Sequence, residues 1–268
     1  MASKEVAVQQ QAKAVAIIDD DLLSAGTGLE DVSADDMAIP YLQILQALSP
    51  QLNKQNGKYI KGAEQGQIYN SVTGDHDDGE EGIVVVPCFY QKKYVEWAPR
   101  ESGGGRVNTH DSRDILSQTT KNDRGQMVLR NGNYIAETAY FYVMVCKEDE
   151  SDWSQALISM TSTQLPKAKK WISQMVQRKA QNSAGEMVNA PMFAFKYRLK
   201  TIAEQNDRGS WYGWSIGLEG ATESSIVKQE AKKFLESIKA GEVKVKDPEQ
   251  DGPAPATTSH DPDDQVPF

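Results

Sequence analysis

MVLRNGN at 127–133 runs directly into YIAETAYFYVMVC at 134–146, and this stretch decides the fold class. Asn131-Gly132 between two strand-like runs is a strong local hairpin signal, because both central residues of a type I′ turn need positive φ. The second run is long and rich in aromatic and β-branched residues, which suit a pleated surface. Strands of that length usually bend around a barrel. Further strand candidates follow from the same pattern at 57–62, 67–70, 83–97, 153–161, 192–201 and 209–217. In 83–97 the apolar run IVVVPCFY is expected to break at Pro87 and to continue as an amphipathic strand.

Helices are expected at the flanks. Ile39, Leu42, Leu45 and Leu48 fall at threes, with Pro40 suited to a first turn. For 164–179, with Thr163 as cap, Leu165, Ala168, Ile172, Met175 and Val176 form a core stripe. Lys167, Lys170, Gln174 and Arg178 then face outward, and Trp171 falls on the border. Residues 222–240 form a last amphipathic helix stopped by Gly241. The chain is thus mainly β with flanking helices, an α+β class.

Charge divides the chain into an acidic arm (1–36), a body (37–246) and a tail (247–268). The net charge of −9 is misleading as a single number. The arm, expected to be mobile or partly helical, has two cations against eight acids, and the tail has six acids and no cation. What remains for the body is mildly basic. Residues 161–201 carry eight cations (Lys167, Lys169, Lys170, Arg178, Lys179, Lys196, Arg198, Lys200) against Glu186 alone. Within 192–201 the alternation places Phe193, Phe195, Tyr197 and Leu199 on one face and Lys196, Arg198 and Lys200 on the other. Five prolines in the tail forbid regular structure there.

The tail ends in DDQVPF, with Asp263, Asp264, Val266, Pro267 and Phe268. This tip resembles the acidic C-terminal tip of bacterial and bacteriophage single-stranded-DNA-binding proteins, from which Pro262 and Gln265 depart by replacing acids. The resemblance covers the tip alone. It implies a phage-encoded protein of the host cytoplasm, an OB-like antiparallel β-barrel with insertions, and single-stranded DNA as ligand. Replication and recombination proteins would bind the tip by ring, aliphatic and terminal-carboxylate contacts. A homo-oligomer is compatible with this reading.

Cations with neighbouring rings supply the candidate DNA contacts: Lys92, Lys93, Tyr94, Trp97, Arg100 and Arg106; Lys167, Lys170, Trp171 and Arg178; Lys196, Arg198 and Lys200; Trp211 and Trp214. Rings can stack on bases at about 1–3 kcal/mol each. Barrel core is the alternative use of the same rings. The glycine-rich stretch 99–123 lacks a phosphate-loop signature and reads as a polar basic loop.

No nucleophile motif or defensible carboxylate pair points to an enzyme. His76 in GDHDDGEEG at 74–82 sits in a solvated acidic loop without metal-site spacing, so neither metal nor cofactor is expected. The rivals are a nuclease using Asp75, Asp77, Asp78 and a divalent ion, and a strand-annealing mediator. A protein that uses only its tail to engage host factors is a third. Cys88 and Cys146 lie in apolar runs and read as core thiols, with a disulfide left open. No apolar run reaches the roughly 18 residues of a membrane span, and no secretory signal is expected.

Overall fold

The structure is a computed structural model that describes residues 28, 30–31, 39–102, 104–123, 125–207 and 209–243, without the side chain of Arg100. The expected N-terminal helix and the tail and its tip lie outside the described residues. The chain divides into two compact units after Met37. In the first, the Gly28 N–H donates to Glu30 Oε1 at 3.1 Å.

In the second unit the strands are β1 (Tyr41–Ile44), β2 (Ile68–Asn70), β3 (His76–Asp77), β4 (Ile83–Trp97), β5 (Arg106–His110), β6 (Thr119–Lys121), β7 (Met127–Leu129), β8 (Tyr134–Cys146), β9 (Trp153–Thr161), β10 (Lys179–Gln181), β11 (Met187–Asn189), β12 (Phe195–Asn206) and β13 (Gly209–Ala221). Helix α1 (Leu165–Val176) follows β9, and α2 (Ser225–Ala240) follows β13. Eleven of these strands form one curled sheet in the order β13-β12-β4-β8-β9-β1-β2-β3, with β5 on β4, β7 on β8 and β6 on β7. β10 and β11 form a separate ribbon. The sheet is mixed rather than antiparallel throughout, because β1 pairs with β9 in parallel.

The curl brings the two ends of this sheet together. The Gln46 carboxamide, just beyond β1, exchanges hydrogen bonds with the backbone of Tyr212 in β13. Nearby, the Thr201 N–H donates to the Gly79 carbonyl at 2.8 Å, and Gly66 N–H donates to the Leu45 carbonyl at 2.7 Å.

β8 explains the architecture. Ala139, Phe141 and Val143 face one core with Val85, Ile158, Tyr197, Leu199 and α1 residues Ala168, Trp171 and Met175. Tyr140, Tyr142, Met144 and Cys146 face a second core with Val84, Val86 and α2 residues Val227, Ala231 and Phe234. A strand covered on both sides needs apolar residues at every position, hence the unbroken apolar run from Ala139 to Cys146.

The 127–146 hairpin forms, with a three-residue loop in place of the expected type I′ turn. Only Gly132 takes positive φ there (88°), and Leu129 and Asn133 close the loop. This is a type I turn with a glycine bulge.

Other expectations change. Residues 39–48 give strand β1, because Leu42 faces one core while Ile39 and Tyr41 face the other; the spacing at threes hides a period of two. β4 runs through Pro87, whose missing N–H is absorbed by a bulge between Pro87 and Phe89. Residues 57–62 form turns, whereas 99–123 hold β5, a 3-10 helix (Arg113–Gln118) and β6. The acidic 74–82 segment contains β3. α1 ends at Val176 and is preceded by a 3-10 turn, so Thr163 does not cap it. Its buried positions are Ala168, Trp171 and Met175, which leaves Val176 71% exposed. No helix among the described residues is long and apolar enough to cross a membrane.

Candidate nucleic-acid interface

Met192–Ala194 form a 3-10 turn that packs Phe193 against the second core, and from Phe195 onward β12 alternates as its sequence requires. Tyr197, Leu199 and Thr201 are buried, and Lys196, Arg198 and Lys200 point the other way. Two of those three cations meet acids. Lys196 Nζ lies 2.7 Å from Glu150 Oε1, and Arg198 lies 2.6 Å from Glu148 and 2.9 Å from Glu219. The bond from Arg198 holds the Glu219 carboxyl below its ordinary value, and Glu219 and Glu148 push Arg198 upward. Lys200 is exposed.

Glu150 is the hub of this region. It adopts a left-handed backbone (φ 57°) and is buried in the turn between β8 and β9. Its carboxylate accepts from Lys196 and from the backbone N–H groups of Glu223 and Ser224, at the start of α2. Burial works against its charge, but these donors outweigh burial and hold its pKa below the usual carboxylate value.

The β4 cations are matched as well. Lys92 lies 3.1 Å from Glu137, whose hydrogen bond raises the lysine pKa, and Lys93 pairs with Asp111. Tyr94, expected beside them at the surface, is buried where β4 is flanked by β8 and β5. Trp97 is half-buried opposite Tyr134 and Arg106, and Arg106 Nε donates to Thr109 Oγ1 at 2.9 Å.

On α1, Lys167 turns inward to Glu204 at 2.7 Å instead of facing outward. Glu204 also accepts from Trp211 Nε1 at 2.8 Å. The pair sits over Gly213, where a Cβ would meet Glu204 Oε2 and Lys167 Nζ and displace the ends of those two side chains. Trp171 is a core residue, not a border one, 4.5 Å from Phe141 and 5.6 Å from Tyr197 between ring centroids. Trp214 is buried in the same core and Trp211 is buried against Glu204. The buried rings of Tyr94, Trp171, Trp211 and Trp214 therefore present no open face for a base. Arg178 stacks over Phe195 at 5.7 Å.

Of the cations proposed from sequence, Lys170 and Lys200 are exposed and make no ion pair among the described residues. Lys169 and Lys179 join them: Lys169 is exposed on α1, and the Lys179 ammonium donates to Asn189 Oδ1. Both were within the basic run, and what separates them from Lys167 and Lys196 is the acid that each of those two meets. The acids that pair with Lys92, Lys93, Lys167, Lys196 and Arg198 are Glu137, Asp111, Glu204, Glu150, and Glu148 with Glu219. The Glu148-Asp149-Glu150 cluster was a visible signal of counter-charge in the sequence.

The model of the Pam3 phage gp34-like protein family matches residues 8–244 of the chain. The chain belongs to the Pam3 phage gp34-like family. Among curated proteins and solved structures, none matches it. Membership points to a phage-encoded protein, as the tip resemblance implied.

Elsewhere in this gp34-like chain, Glu96 is buried and accepts from His110 Nε2 at 2.9 Å, Asn133 at 2.6 Å and Asn131 at 3.4 Å. Burial opposes its charge, but these donors prevail and its pKa is lowered. The cluster ties β4 and β5 to the β7–β8 loop. In the acidic segment, Asp78 Oδ1 accepts from the N–H groups of Glu80 and Glu81, which closes its own turn. Among the described residues, no group of His, Cys, Asp and Glu is arranged to hold a metal ion. Cys88 and Cys146 are free buried thiols, and burial pushes Cys146 up to about 12.

Proposed function

We propose that this gp34-like protein is a single-stranded-DNA-binding protein with an OB-like body. It coats single strands without strong sequence preference during phage replication or recombination in the host cytoplasm, without catalysing a reaction itself. It recruits partner proteins through Asp263, Asp264, Val266, Pro267 and Phe268. The observation that carries the reading is the division of charge: a cation-free acidic tail ending in VPF is joined to a body with eight cations against one acid over 161–201.

Ion pairing favours some cations over others for this role. Lys196, Arg198, Lys92, Lys93 and Lys167 already have acidic partners, so exposed Lys169, Lys170, Lys179 and Lys200 are the better phosphate ligands. Of the proposed rings, Trp97 is half-buried where the other four are buried.

Fluorescence anisotropy with labelled oligonucleotides tests the proposal. Tight binding to single strands and much weaker binding to duplex is the expected result; equal binding to both, or none, would sink it. Affinity should fall by roughly 0.7 log units per tenfold salt for each phosphate neutralised. Incubating labelled DNA with magnesium or manganese separates this reading from a nuclease, since the DNA should remain intact. Annealing of complementary strands at an unaccelerated rate separates it from a mediator.

A further inference from the structure

The β10–β11 ribbon belongs to neither core. Its residues pair Lys179 with Asn189, Ala180 with Val188 and Gln181 with Met187, and then leave the main sheet altogether. Met187 is 66% exposed and Val188 39%, although the pleat sends them to opposite faces. An isolated two-stranded ribbon is marginal in water. This one presents apolar side chains on both faces without covering either.

The helix turn that feeds it has the same character. Lys169 and Val176 are seven residues apart, nearly in line along the outward side of α1, and both are exposed. Lys170 is exposed beside them. The only acid in the ribbon, Glu186, accepts from Asn182 across the loop. Exposed apolar side chains among lysines that make no ion pair among the described residues fit a ligand with alternating anionic and flat apolar parts. A second copy of this surface would bring lysine against lysine.

We infer that the ribbon and the outward side of α1 form a single-stranded nucleic-acid contact, with Lys169, Lys170 and Lys179 on phosphates and Val176, Met187 and Val188 against bases. The inference rests on the proposed binding function and moves the contact away from the ion-paired face of β12.

The test compares the full chain with two variants in anisotropy titrations of labelled oligo-dT over a salt series. The Lys169→Gln/Lys170→Gln/Lys179→Gln variant should flatten the slope of log affinity against log salt by about 2. Met187→Ala/Val188→Ala should weaken binding about tenfold, the loss of apolar burial against a base, with the salt slope kept. All five residues are exposed, and circular dichroism and a thermal melt check that the variants keep their fold. A benzophenone amino acid at position 187 should crosslink to the oligonucleotide.

If the wild-type chain does not bind oligo-dT, the functional reading and this inference fail together. If it binds and both variants match it in affinity and slope, the ribbon inference alone is overturned. Crosslinking only between protein chains would also overturn it, in favour of a self-association surface.

Discussion

Gln46 holds the backbone of Tyr212 with both ends of its carboxamide: Nε2 donates to the carbonyl at 2.8 Å and Oε1 accepts from the N–H at 2.9 Å. A side chain thereby stands in for a missing strand at the edge of β13. Gln164 Oε1 repeats the device two residues on, accepting from the Trp214 N–H at 3.0 Å. Replacing the amide by a carboxylate puts an acceptor against the Tyr212 carbonyl. Gln46→Glu should cost about 1–3 kcal/mol in urea unfolding at pH 7. The loss should shrink below pH 5, where a protonated carboxyl regains a donor; a pH-independent loss would contradict the pairing.

The Glu150 hub gives a pH prediction with a definite sign. Its pKa, like those of Glu96 and Glu219, is lowered in the folded state. The stability they supply is therefore complete above the unfolded value of 4.5 and is lost as pH falls through the lower folded values. Denaturant midpoints should be flat from pH 6 to 7 and drop below pH 4.5. Glu150→Gln should cost about 1.5–3 kcal/mol and should remove part of that acid sensitivity.

Arg198 separates fold from function. Its partners Glu148 and Glu219 are partly exposed, so Arg198→Gln should cost no more than about 1 kcal/mol. The variant should leave oligonucleotide affinity and its salt slope unchanged. A slope reduced by about 0.7 would show that the guanidinium exchanges its acids for a phosphate.

The tail should compete for the body's cations. Deleting residues 261–268 should strengthen single-strand binding at low salt and abolish partner recruitment, whereas Phe268→Ala should lose only the partner. Pull-down from infected-cell extract and anisotropy at 50 mM and 300 mM salt, run on both variants, read the two effects separately.

Much of the strand content was legible because β8, β9 and β12 carry their own patterns, and the Asn131-Gly132 hairpin and the Gly241 helix stop were local signals. β1 was misread because a strand buried on both faces over so few residues loses its alternation and can imitate a helix. Pro87 misled for a related reason: whether a missing N–H breaks a strand depends on a bulge that its neighbour must accommodate. At the candidate site, the basic run was visible as composition. What sequence could not supply was pairing. Lys167, Lys196 and Lys170 look alike until Glu204 and Glu150, distant in the chain, are seen to claim the first two. Trp171 likewise lay on the border of its helical projection and became core only because Phe141 and Tyr197 wait beneath it.

The parallel pairing of β1 with β9 also dictates an order of events during synthesis. Tyr41 and Leu42 pair with Leu157 and Ile158, and β8 already holds β9 by its other edge. The ribosome therefore releases β1 long before its partner exists, and loop-closure entropy sets this contact late. Pulse-labelled hydrogen exchange should find the Leu157 amide, which donates to the Pro40 carbonyl, protected after the amides shared by β12 and β13. Until then Tyr41 and Leu42 are exposed apolar residues in a nascent chain, and a chaperone that binds early should bind there.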